Sequence, residues 1–171
     1  LTDQLFLQKI IEFFYLNKLL LNDIQNSFRD VAFEDGIGIW EAEAIDNYLV
    51  GNEYELLKNK DERVDWNNIT FDYTIQFEMT FAFWDAKGTK FILPKVLQLA
   101  LMLEEENEEQ IPDWQYILAG ICQREQQHLF NDKQKNTILH FLNYQIQKSA
   151  ENEWDEYDSL ALDSLIERWK V

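Results

Sequence analysis

The sequence predicts a mainly α-helical, single-domain, bundle-like fold with one short β hairpin or hairpin-like turn near residues 71–93. Three observations carry this. The 171 residues include only five glycines and two prolines, too few for a many-turned β sandwich. Apolar residues recur at spacings of three and four along most of the chain. A 46% hydrophobic content, with 25 aromatic residues, supplies a large core at a length that fits one domain over residues 1–171.

Residues 1–30 read as an N-terminal helical segment, with Leu5, Phe6, Ile10, Phe13, Phe14, Leu19, Leu20, Ile24 and Phe28 at helical spacing. A break is expected near Asn22–Asp23, where Asp can cap a new start. The stripe is wide and aromatic, so it is read as core, the alternative being a face that meets a partner. After the loop Asp35-Gly36-Ile37-Gly38, a helix is expected over Ile39–Val50 with Ile39, Ala42, Ile45 and Leu49 on one face. Gly51-Asn52 is its stop signal. A short helix over Glu53–Lys58 leads into a charged, solvated stretch, and Trp66 is anchored inward.

From Phe71 to Phe83 aromatic and apolar residues alternate with polar ones, which predicts a strand. A helix is the alternative, because Phe77, Phe81 and Trp84 also lie at helical spacing. Asp85-Ala86-Lys87-Gly88 is the expected turn, with Asp85 bonding turn amides and Gly88 at positive φ. Phe91-Ile92-Leu93 would return as a short strand. Pro94 would then open a buried helix through Leu103. Helices are also expected over 112–124 and 131–148. Residues 151–171 form an acidic linker and a C-terminal docking helix that carries Leu160, Leu162, Leu165, Ile166 and Trp169.

The net charge is −17, from 32 acidic and 15 basic side chains. Such a field repels phosphates and anionic membranes, so nucleic acid and membrane are excluded as partners. It favours solubility or, more sharply, a basic protein partner. Cys122 is the single cysteine, which removes internal disulfides and thiolate-rich metal sites. The apolar run Leu5–Leu21 is interrupted by Gln8, Lys9, Glu12, Asn17 and Lys18, unlike a membrane span, and no signal-peptide pattern is visible. A cytoplasmic protein is the expectation.

Few residues propose chemistry. Glu125-x-x-His128 has the spacing by which bundle helices offer ligands to iron, but His140 has Thr137 where the second carboxylate should stand. Glu125 and His128 are thus weak metal candidates, and neither a cofactor nor a catalytic residue is assigned. Ser27, Ser149, Ser159 and Ser164 lack nucleophile-elbow glycines. Carboxylate pairs such as Glu43 and Asp46 arise by default in so acidic a chain, and a solvated face is their plainer reading.

Phe83 to Pro94, F-W-D-A-K-G-T-K-F-I-L-P, resembles the aromatic-x-D-A-x-G-x-x-F-x-L-P signature of a family of uncharacterised bacterial domains. Glu41-Ala42-Glu43-Ala44-Ile45-Asp46-Asn47-Tyr48 resembles that family's E-A-x-x-I-D-x-Y helix. The resemblance covers roughly residues 19–171 and departs from the family at Lys95, where a small residue is usual. It implies structural roles for Asp85, Gly88, Phe91 and Pro94, and no established activity.

The expected function is a non-enzymatic, acidic protein-binding domain, in its sharpest form an immunity-like antagonist of a basic bacterial toxin. The alternatives are an enzyme of unrecognised type using Glu125, His128 and His140, and a regulatory or housekeeping helical protein. The partner surface is expected at Glu104, Glu105, Glu106, Glu108 and Glu109 with Trp114, and at Glu151, Glu153, Trp154, Asp155 and Glu156.

Overall fold

The computed structural model describes residues 2–70, 80–102, 112–151 and 156–170. It divides the chain into two compact units, one of residues 1–29 with 132–171, the other of residues 30–131. Among the described residues there are seven α-helices and no strand.

The first unit holds α1 (Thr2–Ser27), α6 (Asp132–Glu151) and α7 (Glu156–Trp169), with α6 packed against both others. The expected break in α1 at Asn22–Asp23 does not occur. Leu20, Ile24 and Phe28 continue one buried face at spacings of four, and burying that face outweighs a local cap. The carbonyls left open in the last turn of α1 find donors on α6: Lys133 Nζ reaches Asn26 O at 2.9 Å and Gln134 Nε2 reaches Ser27 O at 3.2 Å. Lys133 also supplies the cation that the last turn of α1 lacks. Ile138, Phe141 and Leu142 of α6 and Leu162 and Trp169 of α7 are buried.

The second unit holds α2 (Ile39–Asp46), α3 (Asn52–Lys58), α4 (Ala86–Met102) and α5 (Trp114–Gln123), with single 3-10 turns at Trp66–Asn68, Phe81–Phe83 and Gln126–Leu129. Here the turn expected at 85–88 and the return strand at 91–93 are corrected: Asp85 stands just before α4, and residues 86–88 and 91–93 are helix. Asp85 Oδ1 accepts the Gly88 amide at 2.7 Å, which caps a helix start rather than closing a hairpin. Gly88 is not among the residues with positive φ. Its requirement is space, since a Cβ there would stand 2.0 Å from the Ile37 carbonyl oxygen. Pro94 is accordingly inside α4 rather than in its first turn. It withholds one backbone bond, and the helix continues because Phe91, Leu93, Val96 and Leu97 around it are fully buried. Residues 71–79, on which the strand expectation mainly falls, lie outside the described residues.

Edge-to-face rings knit this core, Phe33 with Phe91 at 5.1 Å and Phe81 with Trp84 at 5.3 Å. Arg124 lies over the Phe81 ring at 4.3 Å and donates to the Phe81 and Trp84 carbonyls, at 3.1 and 3.3 Å. One side chain thereby satisfies the exposed ends of a 3-10 turn and stacks on its aromatic face.

Candidate functional site

The most heavily constrained part of the second unit is the hairpin of α2 and α3. The start of α2 has no cap in its own sequence, because Gly38 occupies the N-cap position. Asp61 supplies the cap from beyond α3. Its Oδ1 accepts the Trp40 amide at 2.8 Å and its Oδ2 the Glu41 amide at 3.0 Å. A Cβ on residue 38 would stand 2.2 Å from the Asp61 carboxyl carbon, so only glycine admits this approach.

Within α2, Glu41 is buried and fully engaged. Its Oε1 accepts from the Tyr54 hydroxyl and from Lys58 Nζ at 2.7 Å, and its Oε2 accepts from Arg63 at 3.0 Å. Burial pushes the Glu41 carboxyl up, but the hydrogen bonds from Lys58, Tyr54 and Arg63 overcome it and leave the group below its ordinary value. For Asp61 the balance falls the other way. Burial raises it to about 6 against the two helix amides and the Arg63 charge, with the Glu41 charge adding to the rise. Arg63, 3.8 Å from Asp61, links the two carboxylates and stacks on Phe33 at 4.6 Å. The cluster pins α3 and the following loop to α2.

That scaffold presents an unusual tip. The Tyr48 amide donates to Ile45 O at 3.0 Å and the Leu49 amide to Ala44 O at 2.9 Å, which together close α2 in a Schellman motif. Tyr48 occupies the left-handed position of that motif, with φ of 56°, where glycine is favoured. Its side chain is 91% exposed, and Val50 and Leu56 of the same hairpin are exposed as well. Glu53 and Glu55 lie in the first turn of α3, and Glu43 and Asp46 are half-buried on α2.

The loop before α2 is held from a second side. Asp85 Oδ1 accepts the Ile37 amide at 3.0 Å as well as that of Gly88. The Gly36-Ile37-Gly38 loop therefore lies between Asp61 and Asp85, and joins the sequence landmark at 83–94 to the start of the helix that carries the one at 41–48.

The sequence-predicted site residues fall elsewhere. Glu104, Glu105, Glu106, Glu108, Glu109, Glu153, Trp154 and Asp155 lie outside the described residues. Glu151 ends α6 and Glu156 opens α7. Trp114 is 7% exposed and belongs to the buried residues of α5, so its ring is no surface anchor. Glu125 has a φ of 56°, and the His128 ring nitrogen Nδ1 lies 2.7 Å from the Glu125 backbone carbonyl, not its carboxylate. Among the described residues no group of three His, Cys, Asp or Glu side chains could hold a metal ion. Sequence reading missed Tyr48 as a surface residue because it placed the stop signal at Gly51. The signal that could have found it was the apolar tripeptide Tyr48-Leu49-Val50 directly before that glycine.

Fold and site together define, among the described residues, a mainly helical chain whose second unit carries a braced, aromatic-tipped helix hairpin. The chain belongs to the family of unknown function DUF6714, whose match spans residues 17–170. No curated protein and no solved structure matches the chain. Among the described residues no helix is long and apolar enough to cross a membrane.

Proposed function

We propose that this chain is a non-enzymatic protein-binding domain that captures a basic partner through the α2–α3 hairpin. Its sharpest form is an immunity-like antagonist of a basic bacterial toxin. The observation that carries this reading is Tyr48, a large aromatic side chain held out in solvent on a left-handed backbone. Strain that no core packing repays is a mark of a functional position. Tyrosine anchors within a charged rim dominate binding energy at protein interfaces.

The charge distribution supports the sign of the partner. Residues 30–131 hold 21 acidic and 7 basic side chains, a net −14, whereas the other unit holds 11 and 8, a net −3. The acidity is thus concentrated in the unit that bears the hairpin, which favours a cationic partner for that unit.

The test is capture of basic proteins at low ionic strength from extracts of the cells that make this protein. Wild type retains a basic protein that elutes as salt rises, and Tyr48→Ala loses it. Retention of no basic protein, or equal retention by Tyr48→Ala, contradicts the reading.

A further inference from the structure

We propose that α1 docks a second copy of this chain through the face that carries Leu7, Ile11, Phe14, Tyr15 and Leu19. All five side chains are exposed, by 42% to 74%, and their spacings of four, three, one and four place them on one side of the helix. The opposite side is already occupied. The Phe13 ring meets Tyr144 of α6 edge-on at 5.9 Å, Asn17 donates to the Tyr144 hydroxyl at 3.4 Å, and Leu20 and Ile24 are buried. A helix that is apolar on both sides is built to have a neighbour on both sides.

Charge, ridge geometry and area point to a second copy as that neighbour. Charge comes first: α1 carries Asp3, Glu12 and Asp23 against Lys9 and Lys18, and its whole unit is only −3. Exposed Lys18 lies on this face beside Phe14 and Tyr15, with exposed Glu12 at its edge, so the face calls for no cationic partner, as the −14 unit does, and offers a second copy one charge of each sign. The ridge is the second reason. Leu7, Ile11, Tyr15 and Leu19 form a continuous row spaced by four, the row that interdigitates with its like in the commonest class of helix packing. A two-fold axis would set this row against the same row of the second copy, one surface serving both partners. Area is the third. Five large side chains at this exposure offer roughly 600 Å² per copy, and two copies reach about 1,200 Å², the lower end of specific interfaces.

The inference is independent of the hairpin reading, and its test is separate. Sedimentation of the full chain across the micromolar range should give a species of twice 20.6 kDa. The double variant Ile11→Glu/Tyr15→Glu should keep the same helical circular dichroism and dimerise at least about 100-fold more weakly. Tyr48→Ala should dimerise like wild type. A wild type that stays monomeric overturns the proposal, whether or not it is carried down by neutral lipid vesicles. So does a dimer equally strong in the Ile11→Glu/Tyr15→Glu variant, which would place the contact on another surface.

Discussion

Leu49 donates its amide to the carbonyl of Ala44 at 2.9 Å, and the backbone between them can close only by turning Tyr48 left-handed. An L-residue in that conformation costs about 1–2 kcal/mol relative to glycine. The tyrosine side chain recovers little of it by burial, being 91% exposed. Tyr48→Gly is therefore expected to stabilise the fold by about 1 kcal/mol, a gain partly reduced by the greater freedom of glycine in the unfolded chain. Chemical denaturation of wild type and variant checks this, and an unchanged or lower midpoint would contradict it.

Glu41 gathers Tyr54, Lys58 and Arg63 in one buried cluster, so Glu41→Ala removes the shared acceptor of all three. Removing one partner from a buried ion pair costs roughly 3–5 kcal/mol when the other charge is stranded. Lys58 and Arg63 are about one-third exposed and can recover water, which puts the expected loss nearer 2 kcal/mol. Urea unfolding followed by circular dichroism measures it.

Asp61 predicts a pH dependence of definite sign. Its folded-state value of about 6 lies above the ordinary 3.8, so the folded chain holds this proton more tightly than the unfolded chain. The stability contribution is full below the ordinary value and is lost as pH rises through about 6. The stability of wild type minus that of Asp61→Asn should shrink by up to about 3 kcal/mol between about pH 4 and pH 6, then stay level. A difference that widens over this window would contradict the assignment.

Gly88 and Gly51 should separate two reasons for glycine. A Cβ at Gly88 meets the Ile37 carbonyl oxygen at 2.0 Å, whereas one at Gly51 meets open space on a backbone with φ of 59°. Gly88→Ala must push apart α4 and the loop before α2 and should cost about 3 kcal/mol or more. Gly51 pairs that φ with a ψ of −130°, which L-residues avoid, so Gly51→Ala should cost about 1–3 kcal/mol of backbone strain with no steric clash behind it. Thermal unfolding of the two variants side by side distinguishes them.

The helices with clear periodicity were legible in the sequence: α5, α6 and α7, and the inward placement of Trp66, follow from spacing and composition. The role of Asp85 as an acceptor of local amides was legible too, because a short carboxylate before a glycine has few other uses. What followed it was not. D-A-K-G suits a turn and a capped helix start equally, and the choice depends on Ile37, which approaches from 48 residues upstream. The candidate site was hidden for the same reason. Asp61 sits in a run of charges that reads as solvated, yet it is drawn inward by the bare amides of α2. Long-range partners, not local pattern, decide both places.

Tyr48 is the central contact residue of the proposed binding hairpin. The most direct measurement is capture of a basic protein at low and at moderate salt by wild type and by Tyr48→Gly, the variant expected to fold at least as well. A basic partner held by wild type, released by salt and not held by the more stable Tyr48→Gly is the predicted result. Capture by Tyr48→Gly equal to that of wild type would contradict it.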